Sequence, residues 1–334
     1  MDSFEHKTFT VSRNFTYSYY KSPSDSKVDH NKPSILLLHG WPDDSFLWEK
    51  IVPYLQHLDY PLLIPDCLGY AGTSKPLDPA AYNSRDMAKD MMELLDHEGV
   101  KQIISTGHDW GSFLAQRIWL WNPERVVGIM LLNVAYMPPI EENPFDLDAR
   151  NKMLEQFTGK PRLAYFELFT APDGPRIQKE HFESMWTVLH GNPENWMAKM
   201  FCVYGAMREF LLKDETVPLK EYAQDPALKH HYKQRVSRDG FEAPSMWYHA
   251  MTFNHHFNVE KELPKERLKV TVPMLFLGCS GDAVALTQYI EAPKEAGLLP
   301  DVTIKEFESG HWCTLEIPDQ IGPAMVEWLK EKRI

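Results

Sequence analysis

The pentapeptide Gly107-His108-Asp109-Trp110-Gly111 sets a carboxylate between two glycines, after an apolar run and before a helix-forming stretch. Small residues on either side of such a position permit a tight strand-to-helix turn that forces the central side chain outward. A carboxylate held there can attack an electrophilic carbon and form an alkyl ester, although it is poorly suited to opening an amide or ester carbonyl. The helix that begins at this point offers free N–H groups, that of Trp110 among them. Its positive dipole end favours the ionised acid and can stabilise an oxyanion. The competing reading is that Asp109 only caps the helix. Two later residues could complete a catalytic set. Asp282 follows the apolar run Met274 to Leu277, and His311 follows the run Val302 to Phe307 within Ser309-Gly310-His311-Trp312. The chain order of nucleophile, acid and histidine suits an imidazole that is oriented by one carboxylate and activates water for a second step.

Most of the 14 histidines must be structural. His108, beside the candidate nucleophile, is expected to point away from it into the core. Neighbouring histidines in His230-His231 and His255-His256 diverge on a helix and lack a metal-binding HExxH pattern, so neither a metal nor a cofactor is expected.

These side chains need a scaffold that brings distant segments to one edge. Continuous apolar runs at Ile35 to Leu38, Leu62 to Ile64, Gln102 to Thr106, Val126 to Val134, Met274 to Cys279 and Val302 to Phe307 read as strands buried on both faces. Helical stretches at Ser45 to His57, Ser84 to Gly99 and Ser112 to Trp121 alternate with the early ones, and Asp319 to Lys332 reads as a final helix. Such alternation predicts an α/β fold with a mostly parallel sheet between helices. Thr8 to Val11 and Phe15 to Tyr19 read as a leading hairpin, followed by a polar loop from Ser22 to Lys32. From about Pro138 to Pro264 the strand pattern stops, and aromatic-rich helical patterns take over. We therefore expect a discontinuous core domain at 1–137 and 265–334, with a helical cap at 138–264 inserted beside the strands' carboxyl ends.

Composition sets outer limits. Among 334 residues, 47 Asp and Glu against 35 Lys and Arg give a net charge of −12, which argues against a nucleic-acid partner. Four dispersed cysteines form no CxxC pair, and no apolar stretch reaches the ~18 residues of a membrane span. A mixed, charged N-terminus without a signal-type apolar run points to the cytoplasm. The sequon Asn14-Phe15-Thr16 is then a chance occurrence.

Taken together, His39-Gly40-Trp41-Pro42, Gly107 to Gly111, Pro65 to Pro76, Asp282 and Gly310-His311-Trp312 resemble, in order, the motifs of the α/β-hydrolase fold and of its soluble-type epoxide hydrolases. The resemblance runs from about Thr8 to Lys332. It implies an Asp109, Asp282, His311 triad and an oxyanion hole formed by the N–H groups of Trp41 and Trp110. It also implies that cap residues Tyr165, in Tyr165 to Pro172, and Tyr248, in Met246 to His249, activate an epoxide oxygen. Trp110, Trp186, Met251, Phe253 and Trp312 are the expected substrate contacts, and the expected partners are an apolar epoxide and water, with a homodimer possible. Haloalkane dehalogenases share the Asp nucleophile but not the tyrosines. They often carry Asn after the oxyanion glycine, where this chain has Trp41. A specialised biosynthetic hydrolase and a catalytically silent receptor of the same fold are the remaining alternatives. Some relatives of this type carry an additional phosphatase domain; none is expected from the short hairpin that precedes His39.

Overall fold

The computed structural model describes residues 3–23, 28–139 and 143–334, so part of the expected Ser22 to Lys32 loop lies outside the described residues. Eight strands, β1 (Glu5–Thr10), β2 (Thr16–Lys21), β3 (Ser34–Leu38), β4 (Leu62–Pro65), β5 (Ile103–His108), β6 (Val126–Leu132), β7 (Met274–Cys279) and β8 (Val302–Phe307), form one sheet. Their order is β1-β2-β4-β3-β5-β6-β7-β8. The first two strands run antiparallel and the rest are parallel, as the hairpin and the apolar runs require. Strands β3, β4, β5 and β7 are buried along their whole length, which explains why their sequences lack a polar alternation.

The expected Ser45 to His57 helix divides into a 3-10 turn, Ser45–Trp48, and a short helix, Val52–Gln56. Pro53, at the start of the second piece, has no N–H to continue a ladder from the first. The helices Ser84–His97, Trp110–Trp121 and Pro318–Lys332 match the others. Strand register fixes the edge that matters. Leu38 pairs with Gly107, His108 with Leu132, Leu132 with Leu277, and Cys279 with Phe307, so the loops leaving β3, β5, β6, β7 and β8 emerge side by side. Between β6 and β7, which pair directly, the described residues carry helices and no strand of the sheet. The longest helices of this segment are Leu147–Thr158, Pro226–Asp239 and Glu242–Thr252. All four cysteines are free and buried.

Candidate active site

Asp109 stands at the N-terminus of the helix Trp110–Trp121 with φ 56° and ψ −124°, a conformation that costs a non-glycine residue ~1–3 kcal/mol. Its side chain makes no capping bond, so it does not do the work of an N-cap. Instead its Oδ1 accepts the Trp41 N–H at 2.8 Å, and the Trp110 N–H also donates to the carboxylate. Two glycines make the approach possible. A Cβ on Gly40 would stand 2.3 Å from Asp109 Oδ1, and one on Gly111 would stand 2.1 Å from the Leu38 carbonyl oxygen. The turn is therefore packed backbone to backbone against the end of β3, and that contact delivers the Trp41 N–H to the acid.

Opposite Oδ1, Asp109 Oδ2 lies 3.6 Å from His311 Nε2. His311 Nδ1 meets Asp282 Oδ2 at 2.6 Å. Asp282 is buried and fully partnered: Asn133 Nδ2 donates to Oδ2 at 2.9 Å, and the N–H groups of Val284 and Ala285 donate to Oδ1 at 2.9 Å each. Burial would raise its pKa, but the His311 charge and these donors outweigh it, holding the acid below its usual range. Burial pushes the Asp109 carboxyl upward against the pull of His311 and the N–H groups of Trp110 and Trp41. For His311, burial opposes protonation, yet the charges of Asp282, Asp109 and Asp43 raise it to about 9. At neutral pH His311 is thus protonated between the two acids.

Tyr165 precedes the short helix Phe166–Phe169, and Tyr248 lies within Glu242–Thr252; their rings are 5.9 Å apart. Burial keeps both phenols well above their ordinary pKa of 10, helped by the Asp109 charge at Tyr165 and by Tyr165 and then Asp109 at Tyr248, so both are donors at neutral pH. With Asp109, His311, Trp41 and Trp312 they line one small cavity. The geometry thus gathers Asp109, Asp282, His311, Tyr165, Tyr248 and the N–H groups of Trp41 and Trp110 in one place. Trp312 lines the cavity, and Trp110 packs edge-on against Tyr248 with ring centroids 5.2 Å apart.

Four expected contacts do not line it: Trp110 stands behind Tyr248, and Trp186, Phe253 and Met251 lie elsewhere. Trp186 sits a layer behind, in a separate cluster with Ala223 and Tyr232, its ring against His190, which in turn packs on Trp312. Phe253 is 57% exposed: five residues beyond Tyr248, it falls on the far side of the helical path. Met251 packs against the general core rather than the cavity. Their places are taken by Met197 and Phe201, on the helix Trp196–Phe201, and by Val284, beside the acid.

Sequence reasoning also missed Asn133, although its position just past the carboxyl end of β6 is where site residues of such sheets are found. His108 is buried as expected, but it also bonds the His311 carbonyl oxygen at 2.8 Å and so supports the histidine loop. Burial lowers its pKa to about 3, which keeps it neutral beside the His311 charge.

A helix-flanked, mostly parallel sheet with an acid at the turn after its central strand β5 is the architecture of an α/β hydrolase. The chain belongs to the α/β hydrolase fold family, whose profile matches residues 33–316. An epoxide hydrolase of Neurospora crassa is 27% identical over 98% of this chain and 95% of its own length. Epoxide hydrolase A of Mycobacterium tuberculosis is 25% identical over 89% and 90%. Among solved structures, an epoxide hydrolase from an endophytic Streptomyces superposes with a TM-score of 0.79 at 22% identity, covering 100% of this chain and 97% of that one. One from Vigna radiata gives 0.75 at 21% identity, covering 99% of each. Among the described residues no helix is long and apolar enough to cross a membrane.

Proposed function

We propose that this chain hydrolyses epoxides to vicinal diols through an alkyl ester on Asp109, with 138–264 acting as a cap over a core formed by 1–137 and 265–334. The observation that carries this reading is the pair Tyr165 and Tyr248, which share one cavity with Asp109 and His311. Epoxide opening leaves an alkoxide that needs a proton donor, whereas a departing halide does not. The names of the relatives support the same reaction.

Asp109 Oδ2 attacks one epoxide carbon while that carbon's own C–O bond, in line with the attack, breaks, and the freed oxygen takes a proton from one of the two tyrosines. Forming the ester neutralises Asp109. Since that charge helps to hold His311 protonated, alkylation lowers the histidine's pKa; Nε2 gives its proton to solvent and becomes a base, and it takes a proton back from solvent once the carboxylate is regenerated. Water then attacks the Asp109 carbonyl carbon and gives a proton to Nε2. The oxyanion forms at Oδ1, already held by the Trp41 N–H and close to the Trp110 N–H on the same carboxylate, where each donor is worth ~3–4 kcal/mol. Collapse releases the diol, protonated by the imidazolium, and the proton of the regenerated carboxyl returns to the tyrosinate.

A panel of epoxides and alkyl halides tests the reaction class, with Asp109→Ala as the inactive control. Single turnover in labelled water should leave the first diol unlabelled, with label entering Asp109 over repeated cycles. Label in that first diol would mean direct attack by water and would remove the ester from the scheme.

A further inference from the structure

The oxyanion loop is gripped from the cap by a cation that the reaction scheme does not use. Arg235, on the helix Pro226–Asp239, is only 4% exposed. Its Nη2 donates to the Pro42 carbonyl oxygen, and its Nε stands 3.4 Å from Asp44 Oδ2. One helical turn earlier, His231 Nε2 meets the same Asp44 oxygen at 2.7 Å. Asp44 Oδ1 in turn accepts the Phe46 N–H at 3.0 Å, which closes the turn that ends the loop. Residues 42 to 46 are thereby bound to one face of a cap helix at two points.

The Pro42 carbonyl held by Arg235 and the Trp41 N–H held by Asp109 are separated by a single intervening peptide unit. The other end of the loop has no freedom either, since Gly40 packs against Asp109 with no room for a Cβ. Releasing the Pro42 end leaves the Trp41 N–H tethered on one side only. A buried guanidinium also loses much if moved, because its partners would be left unpaired away from water.

We infer that Arg235 is a positioning residue: by holding the Pro42 carbonyl it aims the Trp41 N–H at Asp109 Oδ1, so that docking of the cap completes the oxyanion hole. Ester hydrolysis, in which charge develops at Oδ1, then depends on Arg235 more than ester formation does, since ester formation uses Oδ2 and the two tyrosines. The kinetic part rests on the epoxide-opening reading; the positioning part does not.

The test compares wild type with Arg235→Met and Arg235→Lys. Ester formation and ester hydrolysis are timed separately in single turnovers by mass spectrometry, and the Trp41 amide is followed by NMR in protein labelled with ¹⁵N-tryptophan. Arg235→Met should slow hydrolysis about 10- to 100-fold, change ester formation less than about 3-fold, and shift the Trp41 amide while speeding its exchange with solvent. Arg235→Lys, which keeps one donor within reach of Pro42, should recover part of the hydrolysis rate. It also carries the comparison if Arg235→Met does not fold. Equal slowing of both steps would make Arg235 a general clamp on the cap and overturn the inference, as would an unmoved Trp41 amide. If the amide moves but wild type opens no epoxide, the substrate reading fails and the positioning role stands.

Discussion

Replacing Asp109 by Asn should lower the pKa of His311 and so expose the switch on which the hydrolytic step depends. Asn removes one negative charge while keeping the shape of the side chain, and therefore imitates the charge state of the ester. The two groups stand 3.6 Å apart, and both side chains are largely buried, at 7% and 17% exposed. Coulomb's law at that separation gives about 4.6 kcal/mol for an effective dielectric of ~20 and about 1.2 kcal/mol for that of water, or roughly 1 to 3 pKa units. His311, which starts at about 9, should therefore titrate between about 6 and 8 in the variant. Histidine ring NMR across a pH series measures this directly. Asp109→Ala guards against slow hydrolysis of the introduced amide and should shift the midpoint in the same direction. A midpoint unchanged in both variants would refute the claim that alkylation releases the base. The sign extends to stability. Because the folded-state pKa is raised, the stabilisation from protonated His311 is complete below its unfolded value of ~6.5 and is lost as pH rises toward 9. His311→Gln should accordingly lose less stability than wild type over that interval, as read from denaturant midpoints.

Tyr165→Phe and Tyr248→Phe should each slow ester formation by ~100-fold while leaving ester hydrolysis close to wild type in a single-turnover assay, because each removes a donor to the opening oxygen. Asn133→Gly, chosen because Asn133 has φ 64°, removes a bond to the charged Asp282 and should slow the hydrolytic step ~10-fold or more, consistent with a loss of about 1.5–3 kcal/mol. Arg117 and Glu260 form a buried pair with contacts at 2.9 and 3.0 Å that ties the helix Trp110–Trp121 to the helix His255–Glu260. Arg117→Met should cost roughly 3–5 kcal/mol in chemical denaturation, and adding Glu260→Leu should restore much of it, since the damage is an unpaired buried charge.

The strands were legible because burial on both faces leaves an unbroken apolar run. The candidate site was legible because Asp109, Asp282 and His311 each sit just past such a run. What could not be read was direction around a helix packed on more than one side. Trp186 and Phe253 are as aromatic as Phe201, yet only Phe201 faces the cavity, a result of how the helical segment settles on the sheet. Asn133 was passed over for a different reason: a single amide carries no pattern, and its value comes from Asp282, a residue 149 positions away. The same holds for Arg235, whose partner Pro42 is 193 positions distant.

The direct pairing of β6 with β7 also bears on how the chain is made. Strands β1 to β6 can assemble once residue 132 has left the ribosome, but the outer edge of β6 waits for Met274, about 140 residues later. At ~5–20 residues per second that is an interval of roughly 7–30 s, during which a buried-type edge ending in Ile129-Met130-Leu131-Leu132 has no partner. An unpaired apolar edge invites association with other nascent chains. Slowing translation between codons 133 and 273 should therefore lower the soluble yield, whereas slowing it after β7 should not.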